Sequence, residues 1–193
     1  MSPLNVPNII TLSRIMLIPF IVGIFYFPDD LISFSAKNIT ATSIFVFAAV
    51  TDWLDGYLAR KLNQMSAFGA FLDPVADKLF VIGALVVLLW LEPPRVDPLV
   101  ALIIIGREIA VSALREWMAK VGQAKSVAVA FIGKLKTVSQ MVAIPLLLYD
   151  DWLFDTIDCR WWGTILISVA AVLTVVSMLY YLRKALPYTM DSR

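Results

Sequence analysis

The 193-residue chain contains no histidine and a single cysteine, Cys159. Without histidine it lacks the commonest general base and the commonest zinc ligand. One cysteine forms neither an internal disulfide nor a thiolate metal cluster. Net charge is nearly absent as well: sixteen Lys and Arg stand against fifteen Asp and Glu, leaving +1. A balance that even does not suggest a nucleic-acid partner. Long polar stretches are also missing, the longest being about a dozen residues, too short for an independent soluble core. Any chemistry must therefore run on carboxylates, basic side chains, hydroxyls or a hard metal ion.

What the chain has is apolar surface. Sixty per cent of its residues are hydrophobic and the mean hydropathy is +0.82, whereas soluble domains are nearer half apolar. Hydrophobic segments at roughly 8–28, 40–62, 74–92, 97–120, 126–149 and 161–183 approach the ~20 residues that a bilayer-spanning helix needs. The expectation is an all-α integral membrane protein of six transmembrane helices, forming one domain over residues 1–193. Pro19 and Pro145 lie inside two of the segments, where membrane helices tolerate proline. Nothing basic precedes the first apolar run and no small-residue cleavage pattern follows it, so that segment is expected to stay as a helix. With six spans, thirteen of the sixteen basic residues fall on one side and Lys37, Arg95 and Arg160 on the other. The positive-inside rule then puts both termini in the cytoplasm. Asp29, Asp30, Asp150, Asp151, Asp155 and Asp158 fall in the opposite loops and read as solvated charge.

Against this apolar background, "TDWLDGYLARKLNQMSAFGAFLDPVADKL", residues 51–79, carries four aspartates. On a helix, Asp52, Asp55, Gly56 and Ala59 share one face. Asp73 and Asp77 share another, at the start of the third segment. The short connection lets the two acid pairs face each other across a helical hairpin. Clustered carboxylates in a low-dielectric site must be protonated or neutralised by cations. Oxygen ligands without His or Cys select Mg²⁺, Mn²⁺ or Ca²⁺, and four aspartates could share two such ions. The plainer alternative is a set of interfacial acids paired with Arg60, Lys61 and Lys78.

The fourth segment contains "GREIAVSALREW". Arg107 lies there roughly 15 Å from the external end, near the bilayer midplane. Arg115 is about 80° further round the helix, so both could edge one cavity. Lys134 and Lys136 in "IGKLKT" are about 200° apart and do not serve one wall equally. Ionisable residues at such depth face a water-filled cavity or a functional site. The alternatives are pairing of Arg107 with Glu108 or Arg115 with Glu116, or snorkelling. Together the two patterns suggest a cytoplasm-facing chamber with an acidic wall for metal and a basic wall for an anion, suited to phosphoryl-type transfer on a lipidic substrate.

The spacing Asp52-x2-Asp55-Gly56-x2-Ala59-Arg60-x8-Gly69-x3-Asp73-x3-Asp77 resembles the signature of the CDP-alcohol phosphotransferases, with all eight fixed positions present. The resemblance runs over nearly the whole length, through "PNIITLSRI", "FGAFLDPVADK", "GREIAVSALREW" and "VAVAFIGKLKTVSQM". The loops near 29–39 and 150–160 carry little of it. Within the family, the chain is similar to bacterial members that join CDP-diacylglycerol and sn-glycerol 3-phosphate and release CMP. The resemblance implies two ions, Mg²⁺ or Mn²⁺, on Asp52, Asp55, Asp73 and Asp77, with Asp77 also the general base. It implies CDP-diacylglycerol contacts from Gly56 and Arg60, and less specifically from Asn8, Thr11 and Ser66. It implies a grip on the acceptor phosphate by Arg107 and Arg115 with Lys134 or Lys136. It also implies a homodimer in the bacterial inner membrane with its site on the cytoplasmic side. Inositol phosphate, serine and phosphatidylglycerol are the alternative acceptors. A membrane prenyltransferase normally has more helices and lacks the Gly-x2-Ala-Arg continuation, and an ion transporter leaves the matched spacing unexplained.

Overall fold

Long runs of Leu, Ile, Val, Phe and Ala satisfy their backbone polar groups most readily as helices, whose hydrogen bonds close within the segment. The computed structural model describes residues 6–61, 67–123 and 131–190, with side chains over 8–52, 68–69, 71–123 and 133–188. It is all-α apart from one small hairpin. The elements are α1 (Val6–Ile24), α2 (Phe34–Lys61), α3 (Ala67–Trp90), α4 (Pro98–Lys120), α5 (Phe131–Tyr149), β1 (Trp152–Leu153), β2 (Ile157–Asp158) and α6 (Cys159–Met190). β1 and β2 pair antiparallel, Trp152 opposite Asp158.

α1 packs against α2 and α3, α2 also meets α5, and α6 pairs with α5 and α4. The main core gathers Ile21, Phe45, Phe80, Leu85, Leu88, Ile144 and Leu147. Phe45 and Phe80 stack there with ring centroids 4.7 Å apart. A second cluster of Val111, Met118, Tyr181 and Ala185 joins α4 to α6. Two glycines permit close approaches. A Cβ on Gly83 would lie 2.6 Å from Ile18 Cγ2, and one on Gly163 would lie 2.7 Å from Leu147 Cγ and 3.2 Å from the Leu147 backbone nitrogen. Small residues at such crossings let apolar helices approach without a hydrophobic driving force.

Two helix ends have local causes. Asp97 caps α4 by accepting from the Leu99 and Val100 amides, with Pro98 next in the chain, where proline loses no helical hydrogen bond. At the other end Gly122 takes φ +77° and the Gln123 amide donates to the Met118 carbonyl, the left-handed closure that favours glycine. α3 differs from the sequence expectation. It begins at Ala67, with Pro74 inside it rather than near its start, so Asp73 and Asp77 sit within the helix.

Asp150 also departs from its reading as a solvated loop acid. Its side chain is 13% exposed and its Oδ2 lies 3.1 Å from Arg95 Nε. Arg95 further donates to the Leu147 and Leu148 carbonyls and to Asn38 Oδ1. Burial pushes the Asp150 carboxyl up and the Arg95 guanidinium down, while their mutual attraction opposes both shifts. This knot ties α2, α5 and the loop before α4 at the end of the bundle where α5 leads toward α6.

Among the described residues, Phe34–Asp52 and Cys159–Tyr188 are long and apolar enough to cross a membrane, with mean hydropathies of 1.2 and 2.3. α3, α4 and α5 carry charged residues inside their apolar runs. The outward faces remain apolar: Phe20, Phe47, Val86, Leu102, Val142 and Val172 are all exposed.

Candidate active site

α1 carries a polar stripe, Asn8, Thr11 and Arg14, in a mostly apolar helix. All three are buried. Polar groups at that depth need partners, and three acids on other helices serve Thr11 and Arg14. Thr11 Oγ1 donates to Asp73 Oδ1 at 2.8 Å. Arg14 Nη1 lies 2.6 Å from Oδ1 of both Asp52 on α2 and Asp77 on α3. Arg14 is 2% exposed, whereas the two carboxylates are 42% and 52% exposed. The arginine thus holds the acids from behind and leaves them open to the space in front.

That space is a cavity of about 570 Å³ to which all six helices contribute. Asp52, Asp77 and Lys78 stand on one wall, and Arg107, Arg115 and Lys136 on another. The basic wall is braced from α6, where Ser177 and Tyr181 lie one turn apart on one face. Arg107 Nη2 donates to Ser177 Oγ at 3.2 Å. Arg115 Nη2 donates to the Tyr181 hydroxyl at 3.2 Å, and its guanidinium sits 5.2 Å from the Tyr181 ring centre. Arg107 is 6.0 Å from the same ring, within cation–π reach. Glu108 is the acid of this wall. It accepts from Lys136 and lies 3.5 Å from Arg107 Nη1. Glu116 pairs with Lys120 at 2.8 Å. Three cations facing one carboxylate leave an anion-attracting surface.

The cavity therefore brings together Asp52, Asp77, Arg107, Arg115 and Lys136. Asp73 is held beside it through Thr11. Lys134 is exposed and is not among the lining residues. The side chains of Asp55 and Arg60, the surroundings of Gly56 and the whole of Ser66 lie outside what the structure describes. Among the described residues no three acidic side chains gather at one point. Two do converge on a single cationic nitrogen, and with oxygen donors alone that pair fits a hard divalent ion.

Reading the sequence for acids and deep cations misses Arg14, Gln140, Ser177 and Tyr181, and finds Glu108 only as a partner for Arg107. The three-residue polar spacing of Asn8, Thr11 and Arg14 in an apolar helix is the signal that could have found the first. Tyr181 gives none, since an aromatic residue in an apolar helix reads as packing.

Six helices around one cavity with an acidic and a basic wall define a phosphoryl-transfer type of site. Residues 4–183 match the CDP-alcohol phosphatidyltransferase family, and the chain belongs to that family. It is similar to the CDP-diacylglycerol--glycerol-3-phosphate 3-phosphatidyltransferases of Escherichia coli (strain K12), 48% identical over 187 residues, and Salmonella choleraesuis (strain SC-B67), 47% identical over 187 residues. Each match covers 94% of this chain and 94% of the relative.

Proposed function

We propose that the protein transfers the phosphatidyl group of CDP-diacylglycerol to sn-glycerol 3-phosphate, giving phosphatidylglycerophosphate and CMP. The observation that carries this reading is one cavity lined by Asp52 and Asp77 on one side and by Arg107, Arg115 and Lys136 on the other. An acidic wall serves a cation-bound diphosphate, and a basic wall serves the phosphate of a second substrate. The names of the relatives favour glycerol 3-phosphate over inositol phosphate, serine or phosphatidylglycerol.

In the reaction, the C1 hydroxyl oxygen of the acceptor bonds to the phosphorus that carries the diacylglycerol. The bond from that phosphorus to the bridging oxygen breaks, and CMP leaves with the electron pair. Asp77 takes the hydroxyl proton, as a carboxylate within reach of it can. Arg14 fixes Asp52 and Asp77 relative to each other. Arg107, Arg115 and Lys136 grip the acceptor phosphate, and charge-assisted contacts of this type both orient and hold an anion. Asn8, Thr11, Gly56, Arg60 and Ser66 contact the CDP-lipid. Asp52, Asp55, Asp73 and Asp77 would hold two Mg²⁺ or Mn²⁺ ions, which when bound neutralise charge on the diphosphate and on the departing CMP.

The chain spans the bacterial inner membrane with six helices, both termini in the cytoplasm and the cavity open to that side, and it works as a homodimer. Apolar outward faces support the span assignment, since lipid tails are as apolar as those side chains. The test is CMP release by purified protein from CDP-diacylglycerol with a panel of acceptors. Release that depends on sn-glycerol 3-phosphate is expected. Release with inositol phosphate or serine alone contradicts the acceptor assignment.

A further inference from the structure

Gln140 lies one turn beyond Lys136 on α5, is 3% exposed and lines the cavity. Its Oε1 is buried without a hydrogen-bond partner. A buried amide oxygen left unpaired is costly, and native proteins keep few of them. Two other neutral polar residues on the cavity wall are differently placed. Thr137 donates its hydroxyl to the Gly133 carbonyl, and Tyr181 accepts from Arg115. Among the described neutral lining residues, Gln140 alone has a buried polar atom with no partner.

The acceptor has a matching remainder. On the reading above, the phosphate of sn-glycerol 3-phosphate is held by Arg107, Arg115 and Lys136, and its C1 hydroxyl faces Asp77. The C2 hydroxyl is left over. It is an O–H donor; the cations of the basic wall offer it no acceptor, and Glu108, the acid of that wall, is already engaged by Lys136 and Arg107. We propose that Gln140 is a specificity-determining residue whose amide oxygen accepts a hydrogen bond from the acceptor's C2 hydroxyl. This rests on the proposed function and adds to it a reason why a short chain bearing that hydroxyl is preferred over a plain alkanol phosphate. A site built to pair a hydroxyl rejects the analogue lacking it, because its own polar group is then stranded.

The experiment compares sn-glycerol 3-phosphate with 1,3-propanediol monophosphate, which keeps the attacking hydroxyl and the phosphate but lacks the C2 hydroxyl. CMP release is measured with both acceptors for the wild type, Gln140→Leu and Gln140→Glu. The wild type is expected to favour sn-glycerol 3-phosphate in kcat/KM by roughly ten- to a hundredfold. In Gln140→Leu that preference falls close to parity, with KM for CDP-diacylglycerol unchanged. In Gln140→Glu, which retains an accepting oxygen, it persists. Gln140→Met, unbranched and of similar length, replaces the leucine variant if leucine prevents folding. A preference that survives in the leucine or methionine variant overturns the proposal, as does an equal loss on both acceptors. A wild type that does not discriminate also overturns it. A wild type that releases no CMP with either acceptor contradicts the proposed function itself, a separate outcome.

Discussion

Arg14 organises the acidic wall through one nitrogen, and Asp77 is the group it presents to the cavity. Asp77→Asn keeps the shape of the side chain and removes its ability to take a proton. We expect the variant to melt in detergent within a few degrees of the wild type and to lose CMP release by roughly a hundredfold or more. A folded, fully active Asn variant would remove Asp77 from the chemistry. Tyr181 makes a graded test of the basic wall. Tyr181→Phe keeps the ring under Arg107 and Arg115 and loses only the hydroxyl that Arg115 reaches. Its KM for sn-glycerol 3-phosphate should rise a few-fold. Tyr181→Ala removes a fully buried side chain as well and should raise KM further while lowering the melting temperature. The aspartates were legible in the sequence because carboxylates are expensive in an apolar chain. Arg14 was not, because an arginine in the first half of the first helix counts equally well toward the positive-inside pattern. Gln140 was hidden for another reason: a neutral amide carries no charge to flag it, and its significance lies in a missing partner that only the folded chain defines.

At the scale of elements, the helices were legible from hydrophobic runs, and their boundaries less so. The third hydrophobic run began near residue 74, but apolar surroundings tolerate an internal proline, and the helix extends back to Ala67 with Pro74 inside it. Lys134 and Lys136 show what periodicity can decide. Their angular separation predicts that they do not share a wall equally, and the structure has Lys136 lining the cavity and Lys134 exposed. Packing contacts were not legible, since glycine spacing does not say which neighbour comes close. Gly163 and Gly23 give a paired test. A methyl on Gly163 would press into Leu147, side chain and backbone, whereas one on Gly23 meets nothing within 4 Å. Gly163→Ala should destabilise the protein by about 1–3 kcal/mol. Gly23→Ala should be neutral or stabilise it by about 0.4–1 kcal/mol, through the unfolded chain. Thermal melts in the same detergent compare the two directly, and equal shifts would contradict the close α5–α6 crossing.

At the scale of the whole molecule, the fold joins six helices so that opposite charges face one another across a single cavity. The proposed metal requirement belongs to this scale, because the acids come from more than one helix. Chelation should abolish CMP release, and returning Mg²⁺ or Mn²⁺ should restore it and raise the melting temperature, as any ligand of the folded state does. Activity and melting temperature unaffected by thorough chelation would contradict it. The central claim is that the two walls serve two different substrates. Initial rates of CMP release by Arg107→Ala, measured over a grid of both substrates, test it most directly. The account predicts that KM for sn-glycerol 3-phosphate rises roughly tenfold or more, as loss of a charged hydrogen bond implies, while KM for CDP-diacylglycerol stays near the wild-type value. An equal rise in both would contradict a dedicated acceptor wall.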